Sequence, residues 1–226
     1  MIRFEDSREG GVRVDVAFTD SSLDLQGIHP DFPERLAHLE ADLGVPFARL
    51  TQVHGDDVLV VDAPMGLGEV PTGDALVTTT RGLGLMVRVA DCVPVVVADA
   101  SVGVVAAVHS GRPGTALDIT TRTVDTMRLH GAVDLVAWVG PHVCGSCYEV
   151  PEALRADVSA LVPETWAETS WGTPALDIGA GVRAQLERAG VEVVDVGGCT
   201  REDTTLHSYR RDGASAGRFA GLVWMS

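Results

Sequence analysis

Short apolar runs rich in valine, each bounded by Gly, Pro or Asp, recur along this chain and set the first expectation of its architecture. They predict strands over Val12–Phe18, Asp57–Val61, Ala75–Thr79, Leu85–Val89, Val93–Ala98, Val102–Val108, Leu135–Val139 and Val191–Val196, with a last strand at Phe219–Met225. Several runs are apolar at every position rather than at alternate ones. A strand reads that way when both faces of its sheet are covered.

The helical period enters mainly in the second half. Asp177 is an N-cap, Ile178, Val182, Leu186 and Ala189 follow at helical spacing, and Gly190 stands where the helix must end. Pro151 suits the first turn of a helix that runs to Leu161, where Pro163 stops it. A third helix is expected from Ala116 to Leu129, ended by Gly131, and a fourth over Glu34–Leu43 with Leu36, Leu39 and Leu43 on one face. Strands first and strands mixed with helices later predict an α+β sandwich rather than a regular βαβ alternation. Neither repeats nor a Pro/Gly/Ser linker divide the chain, so one domain spanning 1–226 is expected.

Composition narrows the class of function. The 226 residues are 46% hydrophobic and 22% charged, an ordinary globular mix. The formal net charge is −15 and no lysine occurs, so all 17 basic residues are arginine. With no basic segment, a nucleic-acid partner is not expected. The start, Met1-Ile2-Arg3-Phe4-Glu5-Asp6-Ser7, lacks the apolar core of a secretory signal, and no apolar run is long enough to span a bilayer. A cytoplasmic protein with reduced thiols, no membrane association and a monomeric state is the expectation.

The candidate chemistry lies at the edges of the apolar runs. His54 in Thr51-Gln52-Val53-His54-Gly55, Cys92 in Ala90-Asp91-Cys92-Val93-Pro94 and His109 in Ala106-Ala107-Val108-His109-Ser110-Gly111 each offer one ligand for a borderline metal. Two imidazoles and a thiolate make a three-ligand zinc set that leaves a position open, as catalytic sites do. Copper competes for the same donors. Singly, each histidine reads as a side chain satisfied by backbone partners and Cys92 as a small buried hydrophobe; the three together carry the metal reading. Cys92 with either histidine also makes a nucleophile–base pair for thiol hydrolase chemistry. After His109 the stretch Ser110-Gly111-Arg112-Pro113-Gly114 reads as a glycine-punctuated loop in which Arg112 offers a fork to an oxyanion or phosphate. Asp91 and His54 stand within the set that could serve as general acid. The pair Cys144 and Cys147 reads as non-ligating thiols near the site, with Cys199 standing alone. Gly82-Leu83-Gly84-Leu85 lacks the rest of a dinucleotide fingerprint, and neither a Walker A sequence nor a G-x-S-x-G elbow occurs.

At these residues the chain resembles the laccase-domain proteins, also called multicopper polyphenol oxidase-like or purine nucleoside phosphorylase-like. The likeness covers Thr51–Val58, Gly73–Thr79, Val89–Val97, Val105–Thr115, Gly140–Val150 and Ser208–Met225. The stretches Gly140-Pro141 through Cys147-Tyr148-Glu149-Val150, and Ser208-Tyr209-Arg210-Arg211-Asp212-Gly213, are its most diagnostic parts.

That resemblance implies a four-layer α/β/β/α sandwich with mixed sheets. It places the metal-binding catalytic trio on His54, Cys92 and His109. The activity it implies is zinc-dependent phosphorolysis of adenosine, inosine and guanosine to free base and ribose 1-phosphate, with purine nucleosides and phosphate as partners. Adenosine deamination and methylthioadenosine phosphorolysis would accompany it. A non-catalytic metal- or nucleoside-binding module is the contrasting expectation. Copper polyphenol oxidation fits less well, because one three-ligand centre lacks the several histidine pairs of a multicopper cluster. Two departures stand out. Pro113 occupies the position of the family's arginine, with Arg112 one residue earlier, and Ser22-Leu23-Asp24-Leu25 only approximates the usual pattern. Substrate preference is the expectation most exposed to both.

Overall fold

The structure, a computed structural model, describes residues 1–68 and 70–226. The strands are β1 Ile2–Glu9, β2 Arg13–Thr19, β3 Phe47–Ala48, β4 Val58–Val60, β5 Ala75–Thr78, β6 Gly84–Val89, β7 Val93–Asp99, β8 Val104–Ser110, β9 Val136–Val139, β10 Trp166–Glu168, β11 Pro174–Leu176, β12 Glu192–Asp195 and β13 Phe219–Met225. The helices are α1 Phe32–Leu43, α2 Arg112–Ala116, α3 Ile119–Leu129, α4 Glu152–Leu161, α5 Ile178–Arg188 and α6 Tyr209–Asp212.

Two large sheets form, in the orders β1-β2-β13-β6-β3 and β12-β9-β7-β8-β5-β4. Both are mixed: β3 runs parallel to β6, and β4 to β5 and β12 to β9 likewise, while their other pairs are antiparallel. Side chains from both sheets, among them Val16, Phe18, Leu85 and Val223 from the first and Val96, Ala107 and Trp138 from the second, fill the layer between them. Outside the first sheet, Phe32, Leu36 and Leu39 of α1 pack on Ala17, Met86 and Leu222. Outside the second, Val124 and Met127 of α3 and Val182 and Leu186 of α5 cover Val95, Val97 and Ala106. The layers therefore run helix, sheet, sheet, helix. Burial on both faces explains the continuous apolar reading of β7 and β8, whose residues are all buried.

The differences from the sequence expectation have local causes. The helix expected from Ala116 begins at Ile119 instead, because Asp118 takes φ +59° and its side chain accepts from the Thr121 N–H. β8 begins at Val104 rather than Val102, since Asp99 accepts bonds from the Ser101 and Val102 amides and Gly103 turns the chain at φ +76°. β1 breaks the apolar alternation because its inward positions include the charged Asp6 and Arg8, as an edge strand's can. The short pair β10–β11 and the two-residue β3 left no periodic signal. Among the described residues no helix is long and apolar enough to cross a membrane.

Candidate metal centre and active site

The site forms where three strand ends and one loop meet. His109 is near the end of β8, Cys92 lies between β6 and β7, and His54 lies in the loop before β4. One ligand atom from each residue lies within 4.8 Å of the others. Cys92 Sγ and His54 Nε2 are 3.6 Å apart. Zinc–ligand lengths at a tetrahedral angle would put a thiolate sulfur and an imidazole nitrogen about 3.6 Å apart. The two imidazoles meet edge to face, with ring centroids at 4.7 Å. So the donor set and its spacing fit a divalent ion held by three ligands.

Asp74, which sequence reasoning did not single out, organises this centre. Its carboxylate is fully buried just ahead of β5 and accepts from His109 Nδ1 at 2.7 Å, which leaves Nε2 free for a ligand. The same carboxylate accepts the backbone N–H groups of Val53, His54 and Gly55. Those bonds hold His54 at φ +64°, a conformation that costs a non-glycine residue energy. Burial pushes the Asp74 carboxyl up, but His109 and the Gly55 and His54 amides outweigh that and hold it below its ordinary value. The signal available in the sequence was an acidic residue abutting an all-apolar strand, within Gly73-Asp74-Ala75.

Gln52 also fixes the His54 loop. Its side-chain amide donates to the carbonyl of Arg88 and accepts from the Arg88 N–H, so it extends the β6 edge like an extra rung. Gly111 supplies the room. A Cβ there would stand 2.5 Å from His54 Cδ2 and 3.1 Å from Cys92 Sγ.

Burial disfavours both charged forms of the Cys92–His109 pair, yet each group favours ionisation of the other. The imidazoles of His109 and His54 bring the Cys92 thiol down to about 6. Cys92 and Asp74 raise His109 to about 9. The centre thus favours a thiolate beside a cation even before any metal binds.

Asp91 adopts φ +88° and fastens the Cys92 loop. It accepts from Thr200 Oγ1, Ser208 Oγ and Arg210 N at 2.6–2.7 Å, so both its oxygens are engaged in holding loops together. Arg112 is the first residue of α2, so the expected loop is a short helix with Pro113 in its first turn, where no N–H is needed.

The trio opens into a cleft of about 940 Å³ that Arg112 and Arg210 also line. Arg210 stacks on the Tyr148 ring at 4.5 Å. Three more arginines line it: Arg49, Arg88 and Arg218. Burial, with Arg49 and Arg218 nearby, brings the Arg88 guanidinium down to about 10. A chain of net charge −15 therefore keeps this cleft cationic, which suits an anionic ligand. Val143 and Tyr148 reach the cleft, while Cys144 and Cys147 between them do not line it.

The family described as multi-copper polyphenol oxidoreductase laccase matches residues 5–226. The chain is similar to a purine nucleoside phosphorylase of Streptomyces coelicolor, 54% identical over 189 residues, with 81% of this chain and 78% of that protein covered. A purine nucleoside phosphorylase of Mycobacterium tuberculosis is 44% identical over 230 residues, covering 99% of this chain and 91% of its own. Among solved structures, a Neisseria meningitidis protein superposes with a TM-score of 0.82 at 28% identity, covering 99% of this chain and all of that one.

Proposed function

The chain belongs to the multi-copper polyphenol oxidoreductase laccase family, and on that premise we propose that it is a purine nucleoside phosphorylase working as one domain over 1–226. The carrying observation is the convergence of His54, Cys92 and His109 in the lining of a cationic cleft. The phosphorylase names of relatives that match 81% and 99% of the chain support the substrate class.

In this reading the nucleoside enters the cleft with its purine toward the trio. Inorganic phosphate is held by Arg112 and Arg210, whose guanidinium groups line the same cleft. A phosphate oxygen attacks ribose C1′ as the C1′–N9 bond breaks. The purine leaves with the bonding pair and takes up a proton, giving free base and ribose 1-phosphate. His54, Cys92 and His109 would hold a zinc ion, which supplies Lewis acidity toward the developing charge on the base. Asp74 keeps His109 in the tautomer that presents Nε2 inward. Adenosine deamination and methylthioadenosine phosphorolysis belong to the same proposal as side reactions, with a cytoplasmic setting and a monomeric state.

A second reading rests on one observation, the Cys92 Sγ standing 3.6 Å from His54 Nε2, with the two imidazoles bringing the thiol down to about 6 against its burial. That is the environment of a nucleophilic cysteine. A thiol hydrolase would survive a chelator and be abolished by iodoacetamide. The copper oxidase that the family's description suggests is weaker, because the trio alone among the described residues gathers histidines as ligands.

The test is a product assay with adenosine, inosine or guanosine and phosphate. Phosphate-dependent release of base is expected, and it should vanish in His109→Ala. Arg112→Ala should raise the KM for phosphate about tenfold, the effect of one lost charge-assisted contact, without changing metal content. No base above the His109→Ala background would sink the phosphorylase reading, and nucleoside binding without turnover would point to a binding module.

A further inference from the structure

Behind the cleft wall, the side chains of Cys144, Cys147, Cys199 and Glu202 bring three sulfurs and a carboxylate oxygen within 4.8 Å of one another. They come from two turns of the same build. In Cys144-Gly145-Ser146-Cys147 the Cys147 N–H donates to the Cys144 carbonyl at 3.0 Å. In Cys199-Thr200-Arg201-Glu202 the Glu202 N–H donates to the Cys199 carbonyl at 3.2 Å. Each turn therefore presents its first and fourth side chains together, the ligand-x-x-ligand arrangement of structural zinc sites. The turns face each other: the Cys144 N–H points at Cys199 Sγ at 3.5 Å, and Cys147 Sγ lies 3.5 Å from Glu202 Oε1. Zinc bond lengths at a tetrahedral angle put two sulfurs about 3.8 Å apart and a sulfur and a carboxylate oxygen about 3.6 Å apart.

We propose that Cys144, Cys147, Cys199 and Glu202 form a second metal site, a closed structural zinc centre distinct from the trio.

The donors decide the ion. Three thiolates select a thiophilic divalent metal over calcium or magnesium, and a four-coordinate set without a redox partner is zinc's. Four protein ligands leave no open position, so this centre holds structure, whereas the trio with three ligands leaves one open. Its charge with zinc bound, −2, is partly offset by Arg201, which contacts Cys147 and stacks over Trp171 at 4.8 Å. Cys147 is buried while Glu202 is exposed, so the carboxylate closes the site from the solvent side.

Placement gives the centre its role. Val143, beside Cys144, donates its N–H to the Asp91 carbonyl at 3.0 Å. Thr200, beside Cys199, donates its hydroxyl to the Asp91 carboxylate at 2.6 Å. Asp91 precedes Cys92. An ion here would therefore clamp two of the segments that hold the Cys92 loop, and it would do so without touching substrate.

Metal counting separates this proposal from the phosphorylase reading. The chain, purified under reducing conditions and without added metal, should carry two zinc equivalents. A variant with His54, Cys92 and His109 all changed to Ala should keep one. Cys147→Ser and Cys199→Ser in the unaltered background should also keep one, with circular dichroism checking that they fold. Should either serine variant fail to fold, the trio-less variant still decides. Titrated with Co²⁺, it should show an intense thiolate-to-cobalt band in the near ultraviolet and tetrahedral d–d bands in the visible. Its remaining thiols should resist a thiol reagent until the metal is removed. A trio-less variant that binds neither zinc nor cobalt overturns the proposal, and so does one whose Cys144 and Cys147 are found disulfide-bonded after reducing purification. Loss of nucleoside turnover has no bearing on any of these readings.

Discussion

Asp74 performs two tasks with one carboxylate, orienting His109 and holding the His54 loop in a costly backbone conformation. Asparagine in its place keeps the shape but turns one acceptor into a donor, which then faces an N–H. Asp74→Asn should destabilise the chain by about 3 kcal/mol, the loss of charged hydrogen bonds at a buried group, and lower Tm by roughly 6–12 °C for a domain of this size. Metal affinity at the trio should fall about 10–100-fold. The pH dependence follows from the three shifts. Asp74, held below its ordinary value, stabilises above the usual carboxylate range and loses this as pH falls through its folded value. Cys92, lowered to about 6, stabilises increasingly above that pH and loses its contribution as pH falls through it. His109, raised to about 9, stabilises below its unfolded value and loses that as pH rises through about 9. Between about pH 6 and pH 9 the gain at Cys92 and the loss at His109 offset each other, so chelator-treated protein should hold a near-constant Tm there. Asp74→Asn should move the upper edge of that plateau downward, because His109 loses a partner that favours its proton. An upper edge at the same pH in both proteins would contradict the assignment.

At the level of elements, what could be read in the sequence was what its periodicity wrote down. β5 to β9, α4 and α5 carry apolar runs or helical spacing with proper stops, and they were legible within a residue or two of their ends. The trio was legible too, since ligand-type side chains at the ends of buried strands are conspicuous. What escaped reading depends on contacts distant in sequence. Asp74 meets the His54 loop only after β5 pairs with β4 and β8, and Cys199 meets Cys144 and Cys147 only once β12 lies beside β9. Helix α2 escaped for a different reason: its Arg112-Pro113-Gly114 start resembles a loop, yet Gly111 at its N-cap is what lets it pass beneath the trio. With φ −82°, Gly111 has a backbone any residue accepts, so only space forbids a side chain. Gly111→Ala should push His54 and Cys92 apart, reduce metal at the trio at least tenfold as displaced ligands do, and leave overall helix content unchanged. Full metal occupancy in that variant would show that the ligands do not need the closeness seen here.

For the whole molecule, the two sheets are joined by their shared apolar layer and by a polar tie through it. Trp138 of β9 is fully buried between the sheets, and its indole N–H donates to Asp6 of β1 at 2.8 Å. The trio stands on the second sheet and its neighbouring loops, while Arg88 and Arg218 reach the cleft from β6 and the approach to β13 in the first. A cleft built from both sheets keeps its shape only while the sheets stay packed, so loss of the interlayer should abolish the site and the fold together. Trp138→Ala removes the largest side chain of that layer and leaves Asp6 without its donor. A cost of about 3–5 kcal/mol is expected, as for other large-to-small changes in a core. Urea unfolding followed by tryptophan fluorescence and by far-ultraviolet circular dichroism should give one coincident transition in the parent, and again in Trp138→Ala at lower urea. Two separated transitions would mean that each sheet, with its own covering helices, holds a core that stands alone. The cleft between them would then open before either half unfolds, and metal at the trio would outlast the cationic wall opposite it.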